Sequence, residues 1–208
     1  MFRSITKAHP LIIRTSGDPA AKTIARVQHN VVLSTQSSPI SFRCENPAEG
    51  ETNELVVDHN TISSPVPEGG FNKSLLILYG LPTKSLRWTN NLLLGDPRFG
   101  ISDPAVDLEL ALQHWQVTGN AFAEEHGSDP FLSKPGNHPL DLSSIRRDFS
   151  DSACFRIPAT GPLATGSNDS SEPYIGALPP GPAPAEGDWL TRVIPRLPDS
   201  TTQPGAAN

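Results

Sequence analysis

Asp58 and His59 stand side by side in "NELVVDHN", residues 53–60, and offer the chain's plainest acid–base chemistry. A carboxylate beside an imidazole at a strand end can orient a proton or hold a cation. The plainer reading is a polar pair facing solvent, and the sequence favours it. The remaining histidines, His9, His29, His114, His126 and His138, fall in no HxH or HExxH pattern. No metal site and no cofactor is expected from them. His126, Ser128 and Asp129 share one short loop, but a catalytic triad is assembled from distant segments. Cys44 and Cys154 are 110 positions apart and neither lies in a CxxC. Their separate use as thiols is favoured over a disulfide. GxSxG, GxGxxG and GxxxxGK[ST] are all absent.

A second set of candidates lies in "GDPRFGISDPAVDLELALQHW", residues 95–115, where Asp96-Pro97 and Asp103-Pro104 are seven residues apart. Asp103 suits an N-cap, with Pro104 at the first helical position. Ala105, Leu108, Leu112 and Trp115 then form one helical stripe, and Gly119 is a C-terminal stop. The expectation is a packed helix over 104–117. The same stretch resembles the metal-binding end of aminoglycoside phosphotransferase-like kinases. In that family an Asp holds magnesium, and a Gly-Asp-Pro-x-x-Asp-Leu segment opens the next helix. The resemblance would make Asp96 the metal ligand, followed by Asp103, Pro104, Asp107 and Leu108. It spans some 15 residues of 208. The upstream interval "LPTKSLRWTNN" supplies neither the His nor the Asp of the catalytic loop that phosphoryl transfer requires. The capped helix is therefore preferred.

The elements that would position these residues are short. Up to about residue 80, apolar or β-branched runs ("LIIRT", "IARVQHNVVLSTQ", "ISFRCE", "NELVVDH", "SLLILYGL") alternate with clusters of Pro, Gly, Asn and Ser. Their spacing of roughly 8–12 residues predicts a mainly β fold, a small antiparallel sandwich or partial barrel, with the one helix packed on it. In "ISFRC", Ile40, Phe42 and Cys44 share a face; "LLILY" suits a strand covered on both faces. No internal repeat is read from the sequence. Hydrophobic residues make up 36% of the chain, and Pro (22) with Gly (16) exceed the roughly 12% of average usage. The expected organisation is a flexible basic N-terminus over 1–9, a β-rich domain over 10–126, a weakly ordered extension over 127–157, and a Pro/Gly-rich disordered tail over 158–208.

Residues 1–43 carry six cations and one acid, whereas the rest carries ten cations and 21 acids. An acidic body repels phosphates, so no nucleic-acid partner is expected. No apolar run approaches the ~18 residues of a membrane span, so no transmembrane insertion is expected. The acid-free stretch 1–15 is compatible with mitochondrial targeting, although Pro10 would break its helix; a cytoplasmic location is slightly favoured. In the tail, "RVIPRLP" fits R-x-x-P-x-x-P. Pro195 and Pro198 fall on one edge of a polyproline helix, and Arg192 lies one turn earlier. Trp189, Arg192, Pro195 and Pro198 are thus candidate binding residues for a protein partner. The functional expectation is a non-enzymatic accessory or structural protein acting through protein contacts. The rival is a small or degenerate enzyme, a hydrolase or kinase-like remnant, using Asp58, His59, Asp96 and Asp103.

Overall fold

Each apolar run of this chain is too short to bury itself beside its sequence neighbour, and each finds its partner about thirty residues away instead. In the computed structural model, three short strands are laid in turn on three separate sheets, and the path then repeats one layer higher. The structure describes residues 2–3, 11–14, 22–33, 38–43, 52–63, 75–78, 85–95, 97, 99–101, 113, 115–147 and 153–181.

The first coil comprises β2 (Leu11–Arg14), β3 (Lys22–Gln28) and β4 (Val31–Leu33), and the second β5 (Ile40–Arg43), β6 (Thr52–Asp58) and β7 (Thr61–Ser63). The third comprises β8 (Leu76–Leu78), β9 (Ser85–Thr89) and β10 (Leu92–Leu94), and the fourth β11 (Phe99–Ile101), β12 (Trp115–Thr118) and β13 (Ala121–Ala123). Short strands β1 (Phe2–Arg3) and β14 (His138–Leu140) extend one sheet at its two ends. The sheets run β2-β5-β8-β11, β3-β6-β9-β12 and β1-β4-β7-β10-β13-β14. Every pairing among them is parallel. The architecture is a parallel β-solenoid.

This corrects the expected antiparallel sandwich. Runs spaced by about ten residues read as hairpins, but each feeds the next sheet of the same coil. A parallel pair needs a long return path, and here the other two sheets supply it. It also corrects the absence of a repeat. The period is visible in register: Ala25, Leu55, Leu86 and Trp115 stack inward, and so do Val27, Val57, Trp88 and Val117. Leu55, Val57, Leu86 and Trp88 are wholly buried. Trp88, the largest of the wholly buried side chains, packs in the interior between the sheets.

The helix expected over 104–117 does not extend to its end. Trp115 and Val117 are buried and Gln116 exposed, the period-two pattern of a strand beside β9. The apolar stripe counted Trp115 for a helix, yet the next rung of the solenoid claims it. Asp96, Asp103 and residues 102–112 lie outside the described residues, as does Cys44.

Part of the stretch read from its composition as loose extension and tail is packed against the coils. Phe131 and Leu132 are buried against the last coil, where Phe131 stacks on Trp115 with ring centroids 5.5 Å apart. The chain then crosses the outer face of the β4–β14 sheet. Leu142, Ile145, Phe155, Ile157, Leu163, Ile175 and Leu178 join Val31, Leu92, Leu94 and Ala121 in a second apolar cluster. A parallel sheet is stable when covered on both faces, and this segment is the second cover. Apart from one turn of helix, α1 (Pro162–Thr165), the strap at 153–181 is irregular. Its composition looked disordered because its apolar residues come singly, without a period. Trp189, Arg192, Pro195 and Pro198 lie outside the described residues. No helix among the described residues is long and apolar enough to cross a membrane.

Candidate functional site

Between the second and third sheets visited by each coil, the chain turns in two residues. These corners are His29-Asn30, His59-Asn60, Asn90-Asn91 and Gly119-Asn120, with Gly136-Asn137 preceding β14. The first residue of each corner has a left-handed backbone, with φ of 54°, 50°, 55°, 73° and 88°. That conformation favours Gly and tolerates Asn and His. The second residue is always Asn, and the five amides stack. Asn60 Nδ2 donates to Asn91 Oδ1 at 3.0 Å and to the Val27 carbonyl at 2.8 Å. Asn91 Nδ2 repeats this with Asn120 Oδ1 and the Val57 carbonyl, both at 3.0 Å. Asn120 Nδ2 reaches Asn137 Oδ1 at 3.0 Å and the Trp88 carbonyl at 2.7 Å. Asn60, Asn91 and Asn120 are wholly buried, so each amide pairs backbone groups that no water could reach.

Asp58 and His59 sit on this corner, and they are not the solvent-facing pair that the sequence favoured. The His59 ring is fully buried. Its Nδ1 lies 3.2 Å from Asp58 Oδ2, an ion-pair distance, although the two atoms are not aligned for a hydrogen bond. Asp58 Oδ1 accepts hydrogen bonds from Thr89 Oγ1 at 2.7 Å and Asn90 Nδ2 at 3.0 Å. Gln28 Nε2 approaches Oδ2 at 3.4 Å.

The other side of the pocket comes from the strap. His59 Nε2 lies 3.1 Å from Ser167 Oγ and 3.2 Å from the Glu172 carbonyl. The Glu172 carboxylate lies 3.3 Å from His29 Nε2 and 3.9 Å from His59 Nδ1. The His29 and His59 rings stack with centroids 5.4 Å apart, and Tyr174 meets His59 edge-on. Two stacked coils and a segment more than a hundred residues later thus converge on one imidazole.

Electrostatics follow from these distances. For Asp58, burial alone would raise the carboxyl pKa. The nearby His59 ring and the hydrogen bonds from Thr89 and Asn90 outweigh burial and hold it far below the usual carboxylate range. For His59, burial disfavours the charged ring. The Asp58 carboxylate and the Glu172 carbonyl prevail and raise its pKa above the ordinary histidine value. Both shifts favour the charged forms, imidazolium beside carboxylate.

The arrangement resembles a triad, with Asp58, His59 and Ser167 in contact, but its proton is placed wrongly for one. A general base must face the hydroxyl with a lone pair. Nε2 also faces a carbonyl oxygen, which only accepts, so Nε2 carries a proton. Ser167 Oγ accepts from the Asp169 N–H at 3.0 Å as well. The serine is held as an acceptor, not readied as a nucleophile.

Of the sequence candidates, Asp58 and His59 are brought together here, while Asp96, Asp103, Trp189, Arg192, Pro195 and Pro198 fall outside the described residues. His29, Ser167, Glu172 and Tyr174 were not anticipated. Only the recurring x-Asn corner could have pointed to His29, because residues at equal corner positions stack. Among the described residues, no group of three His, Cys, Asp or Glu side chains is placed to hold a metal ion. Comparison with protein-family models, curated proteins and solved structures yields no match to this chain.

Proposed function

We propose that this protein is a non-enzymatic β-solenoid scaffold that works through protein contacts, with the His59 cluster serving as a latch. One observation carries the reading. The one fully buried imidazole of the described residues spends its Nε2 proton on the strap and faces its Nδ1 toward a carboxylate. Ionisable groups that satisfy one another present no free lone pair or donor to a substrate. The cluster instead ties residues 167–174 to the first three corners and keeps the apolar outer face of the long sheet covered.

The contact of Asp58, His59 and Ser167 favours a second reading, a hydrolase whose histidine loses its proton as substrate enters. The two separate by covalent labelling. A fluorophosphonate probe reacts with activated serines and should leave Ser167 unmodified at pH 5.5 and 8.5. Ser167→Ala should leave any trace ester hydrolysis unchanged. Stoichiometric labelling of Ser167, abolished in His59→Asn, would establish the hydrolase and remove the latch.

A further inference from the structure

The two ends of the solenoid differ. At the later end, Phe131 and Leu132 close over the last coil. At the first coil the inward residues Leu11, Ile13 and Ala25 are only partly buried, while their successors Ile40, Phe42 and Leu55 are wholly buried. Strand β3 is seven residues long and, among the described strands, pairs with β6 alone. An edge strand leaves a row of N–H and C=O groups open for another strand. Ile12 and Ile24, 43% and 49% exposed, are the exposed large hydrophobics of the described residues, and both lie on this coil. Arg14 and Arg26 are exposed beside them.

We propose that the β3 edge is a docking site for an extended acidic segment of another protein, added as a further strand of the β3-β6-β9-β12 sheet. The inference rests on the scaffold reading and names its contact surface. Strand addition takes its affinity from backbone pairing and its specificity from alternate side chains. On the outer face the guest meets Ile24 and Arg26 two residues apart, so it places an apolar residue beside the first and an acid beside the second. Charge selects the occupant. Residues 1–43 hold six cations against one acid. A second copy docked through the same edge brings Lys22 and Arg26 of both chains onto one short seam with no acid in β3 to offset them, and one docked tail-first meets the end closed by Phe131 and Leu132. Like charges across an interface cost several kcal/mol. An acidic strand from elsewhere has neither problem.

The test uses the full chain and two synthetic probes. One is a blocked Thr-Val-Thr-Glu-Thr-Val-Thr-Glu peptide; the other carries Lys in place of Glu. Fluorescence anisotropy should show the Glu peptide binding, the Lys peptide not, and a loss of about tenfold or more in Arg26→Glu. Hydrogen exchange should slow at 22–28 on binding. Absence of binding, equal binding of both peptides, or binding without protection at 22–28 overturns the edge site. Self-association that protects 22–28 without peptide assigns the edge to a second copy and also overturns it. Labelled Ser167 sinks the scaffold reading whatever the peptides do, whereas a silent edge with unlabelled Ser167 removes only this inference.

Discussion

Replacing His59 by Asn is the sharpest test of the latch. Asn already occupies the equivalent corner at position 90 with φ of 55°, so the left-handed backbone at 59, φ 50°, accepts it. What disappears is the imidazolium. Its bonds to the strap are charge-assisted, and losing such a bond costs about 1.5–3 kcal/mol. The smaller side chain leaves a void of about one or two methylenes' size, worth about 1 kcal/mol more. The expected loss is therefore about 3 kcal/mol at pH 5.5, or roughly 6–12 °C in Tm for a chain of this length. The pH dependence isolates the charge from the void. The folded-state pKa of His59 lies above 6.5, so its contribution is complete below 6.5 and fades as pH rises through the folded value. Urea unfolding of both proteins at pH 5.5 and 8.5 should show the gap narrowing at the higher pH. A gap that is equal or wider at pH 8.5 would refute the charged latch and leave only packing.

Two further outcomes follow from the same contacts. Asn91→Ala removes an amide that serves Asn60 and Val57 on the preceding coil and Asn120 on the next, stranding several buried backbone and side-chain groups; it should cost about 3–6 kcal/mol by chemical denaturation, and a cost under 1 kcal/mol would show the ladder to be ornamental. Ile175→Ala removes a wholly buried strap residue from the outer cluster; a loss of about 2–4 kcal/mol, with faster proteolysis inside 153–181 than within the coils, is expected by denaturation and limited digestion.

The β character of the first 95 residues was legible because Val, Ile, Leu and Thr cluster between turn formers. Runs at 11–15, 40–45 and 53–59 fall on β2, β5 and β6. The run 24–36 was read whole, although His29-Asn30 splits it into β3 and β4. That split is where pairing went astray. A two-residue corner between apolar runs resembles a hairpin turn, yet here it bends the chain only from one sheet to the next. Partners such as Val27 and Val57 are thirty positions apart, and nothing local marks them. The strap was illegible for a different reason. Gly176 has φ of 101°, and its N–H donates to the Asn90 carbonyl, so turn-forming residues there serve close tertiary contact.

The corner positions also explain why the site lies where it does. Reading 29, 59, 90, 119 and 136 in order gives His, His, Asn, Gly and Gly, all left-handed. At Gly119 an added Cβ would strike Asn90 Oδ1 and sit 2.8 Å from Asn168 Nδ2, so a side chain is excluded between the neighbouring corner and the strap. At Asn90 a side chain is admitted, and its Oδ1 accepts the Asn168 N–H at 2.9 Å while its Nδ2 donates to Asp58. At 59 and 29 the rings reach Ser167 and the two Glu172 oxygens. The strap contacts thus run from a bare Gly119 through the Asn90 amide to the two imidazoles at the first coils. A left-handed corner favours Gly and tolerates Asn and His, so this series is drawn from residues that the backbone accepts at little strain. The acid–base pair met first in the sequence is, on this account, one member of a column of corner residues, and its burial follows from the strap lying across that column.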